Sequence, residues 1–206
     1  MRMFSINLKF FLMKKFFVIL ASILIAFAVS SCKCTRDEDP VVEFPEATIM
    51  ADRAKMDEEV STYKWFETRV EYDNFFDADT TLAISKVESL FQVAVEDPLG
   101  IKTFVYDFVH EPGVENDTIP EPIEAFILDD KPLNDELISL TFSEALARLN
   151  AANLPKPHST KVVLRKAVGP KLANVQYIFG NTEEQVFVDA VTGDVTDHDP
   201  VIAIAE

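Results

Sequence analysis

The chain of 206 residues carries 35 acidic side chains against 19 basic ones, a formal net charge of −16 at neutral pH, with two cysteines and five glycines. Such acidity excludes nucleic acid and anionic lipid headgroups as partners, because each phosphate contact needs a Lys or Arg to release counterions. So few cysteines exclude a disulfide framework, and the sequence holds none of the glycine-rich loops that cradle phosphates.

Residues 1–31 read as a signal peptide and not as fold. Lys14 and Lys15 form a positive flank, and the apolar run from Phe16 to Ala28 is shorter than the roughly 20 residues a membrane-spanning helix needs. Translation starts at Met1 or at Met13, since Met13-Lys14-Lys15 alone makes a complete signal start. The run ends in Val29-Ser30-Ser31-Cys32, which resembles the lipobox of bacterial lipoproteins. That resemblance implies cleavage before Cys32 and acylation of its thiol. At about 0.8 kcal/mol per buried methylene, two or three acyl chains such as palmitate hold a protein on a membrane. Cys34 reads as an exposed thiol, because a Cys-x-Cys pair needs a second pair or a His cluster to complete a metal site. The signal holds Arg2, Lys9, Lys14 and Lys15 and no acids, so removing those four leaves 15 basic against 35 acidic residues, a net charge of about −20. This suits a solvated protein held off a membrane.

Residues 32–60 are expected to be an acidic tether, with Arg36-Asp37-Glu38-Asp39-Pro40 and Pro45-Glu46 and no sustained apolar period. Within it, Asp52 to Val60 has moderate helix propensity but no clean apolar stripe. Thr62 to Tyr72 interleaves Tyr63, Trp65, Phe66, Val70 and Tyr72 with Lys64, Glu67, Arg69 and Glu71, as a half-buried strand does. Leu82, Ile84, Val87, Leu90, Phe91, Ala94 and Val95 then recur at helical spacing. The spacing predicts a helix capped by Asp77 or Asp79 and stopped by Asp97-Pro98 with Gly100. Ile101 to His110 and Ile123 to Leu128 read as strands on either side of a Pro-rich loop.

Thr141-Phe142-Ser143-Glu144 has the spacing of a capping box, and Phe142, Ala145, Leu146, Leu149 and Ala152 line one helical face behind it. Pro155 and Pro157 end that helix. Three strands follow, Thr160 to Val168, Asn174 to Phe179 and Gln185 to Val191, joined by short turn-rich connections. The fold class this order predicts is α+β, with helices packed on one face of an antiparallel sheet. It also allows two related units in tandem, over 61–132 and 133–199.

The helix Phe142 to Leu149, the strands after it and the closing Val188-Asp189-Ala190-Val191-Thr192-Gly193-Asp194-Val195 resemble the PepSY domain and the PepSY-like lipoproteins of Bacteroidetes. The resemblance covers about a quarter of the chain and implies a module that binds a protein or peptide partner and restrains an extracytoplasmic peptidase. It carries no catalytic residues to transfer. Read on their own, Asp189 and Asp194 are turn residues, since one short turn does not supply the five or more oxygens that calcium needs.

The search for chemistry returns little. His110, His158 and His198 fall at a strand end, in a Pro-rich loop and in the tail, and Asp197-His198-Asp199 is the one compact donor cluster. Carboxylate pairs such as Asp129-Asp130 and Glu183-Glu184 follow from the acidity alone. Most of the aromatics around Trp65-Phe66, Phe75-Phe76 and Tyr106 are expected in the core. The sequence is thus read as a non-catalytic cell-envelope protein, anchored in the outer membrane through Cys32, on its periplasmic or its surface face. It takes no cofactor and no metal, and it binds a protein or peptide. The alternative is a structural or carbohydrate-facing surface lipoprotein.

Overall fold

The structure is a computed structural model and describes residues 45–201 except 61, 79–80, 115–117 and 128–129. The expected signal segment, Cys32 and Cys34 lie outside the described residues. All described elements belong to one unit, Glu43–Glu206. It begins with helix α1 (Glu46–Glu59), in the stretch expected as tether. Its buried residues Ile49, Asp52 and Met56 are spaced on one face. The hairpin strands β1 (Lys64–Tyr72), β2 (Ile84–Asp97) and β3 (Gly100–His110) follow, then the two-residue strands β4 (Ile123–Glu124) and β5 (Asp130–Lys131) and a short 3-10 turn over Asp135–Leu137. Helix α2 (Phe142–Ala151) leads into β6 (Lys161–Ala167), β7 (Gln176–Gly180), β8 (Gln185–Asp189) and β9 (Val195–Thr196).

The α+β expectation is corrected here. The described residues form mostly one nine-stranded antiparallel sheet, in the order β4-β3-β2-β1-β6-β7-β8-β9 with β5 beside β6, and only two short α-helices occur among them. Strands from the first and second halves meet where β1 pairs β6, Glu67 opposite Arg165 through Glu71 opposite Lys161, so the sheet is continuous rather than two units in tandem.

The largest single difference is the helix expected over Leu82 to Val95, which is the strand β2. Its register with β3 puts Val87, Ser89, Phe91, Val93 and Val95 on one face. The alternation is broken in the sequence by Ser89, a polar residue at a core position, and by Leu90 on the opposite face. Ser89 is fully buried against the Thr68 hydroxyl, which in turn accepts from Trp65 Nε1 at 3.1 Å. β-branched and aromatic residues then favour the extended chain. Asp97-Pro98-Leu99-Gly100, read as a helix stop, is the hairpin turn between β2 and β3, with Asp97 Oδ1 accepting from Leu99 N at 2.9 Å. The strand expected over Ile123 to Leu128 shortens to Ile123–Glu124.

The core lies on the sheet face carrying Trp65, Val70, Phe91, Phe108, Val162, Tyr177, Phe179 and Val188, and Ile49 and Met56 of α1 with Phe142, Ala145 and Leu149 of α2 join the same cluster. On the other face Ile178 and Phe187 are cross-strand neighbours, both buried but outside that cluster. Helix α2 starts as its sequence predicts: Thr141 Oγ1 accepts from Glu144 N at 3.1 Å while Glu144 Oε2 accepts from Thr141 N at 2.8 Å. The closing turn also follows its residue types. Asp189 Oδ1 accepts from Val191 N and Thr192 N, and Gly193 takes a φ of 79° that other residues avoid.

Candidate functional site

The hairpin of β2 and β3 is longer than the strand beside it. Pairing of β1 with β2 ends at Lys64 opposite Gln92, whereas β2 continues to Asp97 opposite Gly100 of β3. Among the described strands, Val93 to Asp97 therefore have a neighbour on one side only. Ala94, Val95 and Glu96 are exposed along that stretch. An unpaired strand edge presents alternating N–H and C=O groups that another extended chain can complete.

Three hydrogen bonds stiffen this extension from the β4 side. Ala125 N donates to Thr103 O at 3.1 Å and Thr103 Oγ1 to Ala125 O at 2.7 Å. The buried side chain of Gln92 accepts from Ile127 N at 3.0 Å, which ties the chain after β4 to β2. The extension carries Leu99, 96% exposed at its tip, with Ile101 at 74% and Val95 at 45%, and Ile123 and Phe126 are exposed in and after β4, on the far side of β3. One exposed leucine on a surface needs no explanation, but here Val95 and Ile101 are exposed on opposite faces of the extension and Leu99 at its tip, which leaves apolar area on both sides of an unpaired edge.

A second feature is a groove between α1 and the segment Asp135–Phe142, a cavity of about 310 Å³ with Trp65, Leu164 and Tyr177 among its lining residues. At its rim Arg53 Nη1 lies 2.6 Å from Asp135 Oδ2, and the Arg53 guanidinium stands 6.0 Å from the Trp65 ring centre. The Arg53 hydrogen bond holds the Asp135 carboxyl below the usual carboxylate range. A further cavity of about 460 Å³ on the Tyr63 side shares Arg53, Trp65 and Asp135 with it. The groove is braced from within: Glu46 Oε1 accepts from Phe142 N at 2.7 Å, at the positive end of α2, and the Tyr177 hydroxyl donates to Leu140 O. These contacts join α1 to α2 and to the sheet, so the groove is first of all a structural seam.

The third feature is the pair of Asp52 and His110, with Oδ1 2.8 Å from Nε2. Asp52 is fully buried, and that burial pushes its carboxyl up to about 6 despite the opposing pull of His110. The pair links α1 to the end of β3. His158 instead stacks on Phe75, ring centres 3.9 Å apart, beside Asp77, and His198 Nδ1 lies 2.6 Å from Asp197. The three histidines thus sit with three separate carboxylates. Among the described residues no group of three or more His, Cys, Asp or Glu is placed to hold a metal ion. Asp129, one of the paired carboxylates singled out in the sequence, lies outside the described residues, whereas Asp130 is buried within 3.7 Å of Arg165. Trp65, Phe66 and Phe76 are buried as expected and Tyr106 packs partly buried against the core, whereas Phe75 is exposed.

The lipidation site Cys32 lies outside the described residues, and no described helix is long and apolar enough to cross a membrane. Sequence reasoning missed Val95, Leu99 and Ile101 as a surface because it placed Val95 on a buried helical face. The available signal was the turn sequence Asp97-Pro98-Leu99-Gly100 between two runs rich in β-branched residues. Comparison with protein-family models, with curated proteins and with solved structures gave no match.

Proposed function

We propose that this chain is a lipid-anchored cell-envelope protein, attached to the outer membrane through Cys32, whose folded unit is a non-catalytic binding module for a protein or peptide partner. The observation that carries the reading is the extension of β2 and β3 beyond β1, where an unpaired strand edge and exposed apolar side chains occur together. Addition of a strand to a sheet edge draws affinity from main-chain hydrogen bonds and selectivity from alternate side chains. The PepSY-like character of α2 with β6, β7 and β8, and with it restraint of an extracytoplasmic peptidase, is part of this proposal. It is supported by the helix-then-strands order and by the Asp189 to Asp194 turn.

The test is made in cells. A photo-crosslinking residue in place of Ile101 should give a discrete protein adduct that the same residue in place of Leu172, itself 89% exposed, does not give. Identical adducts from both positions, or none, would reject the binding role of the extension. Cys32→Ala should abolish palmitate labelling and release the protein from membranes, and persisting attachment would reject the lipid anchor.

A further inference from the structure

The extension also restricts the chemistry of what it binds. Beside its turn stand Glu96 and Asp97, and the cation opposite Val95, Lys102, lies 3.8 Å from Asp97. Glu96 is exposed. The register places Val95 opposite Lys102 on one face of the sheet and Glu96 opposite Ile101 on the other. A strand added to the free edge of β2 would set a residue beside Val95 on the first face, and its chain neighbours beside Ala94 and Glu96 on the second.

From this, and resting on the binding role proposed above, we infer that the partner segment alternates apolar with basic residues: it pairs in extended form with Ala94–Asp97, packs its apolar side chains by Val95 and sets its Lys or Arg against Glu96 on the opposite face. An anionic segment would meet like charge from Glu96 and from the acidic molecule as a whole. A bilayer is the less suited occupant, because burying Leu99 and Ile101 in hydrocarbon would draw Glu96 and Asp97 out of water with them.

The test uses the purified protein and fluorescein-labelled synthetic heptapeptides, read by anisotropy. The probes are Lys-Val-Lys-Val-Lys-Val-Lys, its Glu-for-Lys counterpart and a Lys-Ser control. The Lys-Val peptide should bind at least about tenfold more tightly than either of the others. Its affinity should fall as salt rises from about 0.01 to 1 M, over which the screening length drops from about 30 to 3 Å. Glu96→Lys should weaken it by about tenfold, and Ala94→Pro, which removes an edge donor and constrains the strand, should do the same. Equal binding of the Lys-Val and Glu-Val peptides would overturn the charge inference while leaving the binding role in place. Equal binding of the Lys-Val and Lys-Ser peptides, or no binding at all, would overturn both. So would attachment to phosphatidylethanolamine vesicles that is lost in Leu99→Ser, which would assign the tip to a membrane.

Discussion

Replacing Asp52 with Asn should stabilise this protein at neutral pH and leave it unchanged in mild acid. The Asp52 side chain is 0% exposed, its Oδ1 rests on His110, and its Oδ2 is buried with no hydrogen-bond partner. Burial lifts its carboxyl from 3.8 to about 6, against the opposing charges of His110 and Lys55. The folded state therefore keeps a proton between pH 3.8 and 6 that the unfolded state has already lost. Stability falls as pH rises through that window, and the deficit is complete above about pH 6. A displacement of about two pKa units corresponds to roughly 3 kcal/mol. Asn is neutral at every pH and keeps an oxygen for His110, so the difference between variant and parent should grow from near zero around pH 4 towards a ceiling of about 3 kcal/mol at pH 7. For a chain of this size that is a rise in Tm of roughly 6–12 °C. Urea or thermal unfolding followed by circular dichroism across that range measures it. A variant less stable than the parent at pH 7, or a difference that does not change with pH, would show that the charged pair with His110 is favourable in place and refute the reasoning.

Two further changes test the packing. Thr141→Ala removes the hydroxyl that accepts from Glu144 N and should cost about 1 kcal/mol in urea unfolding. An unchanged midpoint would mean that the Glu144 carboxylate alone holds the helix start. Gly169→Ala would place a methyl group 2.4 Å from Val201 Cβ, and should destabilise by about 1–3 kcal/mol through overcrowding. Val201→Gly in the same chain should relieve that crowding, and strict additivity of the two changes in a double-mutant cycle would argue that the two residues do not touch.

Much of the second half was legible because its local signals act over three or four residues. The Thr141 cap, the prolines after α2, the alternation of Val175, Tyr177 and Phe179 and the Asp189 turn each satisfy a backbone need within reach of the residue itself. The first half resisted reading where tertiary partners override the local pattern. Ser89 occupies a core position only because Thr68 and Trp65 are there to receive it, and those residues lie about twenty positions away. Asp52 hides the amphipathic face of α1 in the same way, since its partner His110 is 58 residues distant in sequence. A period-based reading scores both as polar interruptions, and so converts β2 into a helix and leaves of α1 only a helical propensity over Asp52 to Val60 inside an expected tether.

The start of β1 bounds the candidate site. Leu133 N donates to Trp65 O at 2.8 Å, and β5 takes the place beside Lys166 and Ala167 of β6. The bulge between Trp65 and Glu67 shifts the start of β1 at this point. On its other side β1 begins only at Lys64, opposite Gln92, so among the described strands the β2 edge is open over Val93 to Asp97, and a strand bound there would continue the line of β1. No titratable constellation is needed for that role. It follows from the mismatch between a strand of nine residues and a neighbour of 14. Shortening the hairpin by deleting Val95, Glu96, Ile101 and Lys102 together, two matched pairs of the ladder, should then remove binding of the Lys-Val peptide while leaving the core below Phe91 intact. Retained binding in a folded deletion variant would place the site elsewhere, with the groove beneath Arg53 and Asp135 the next to examine.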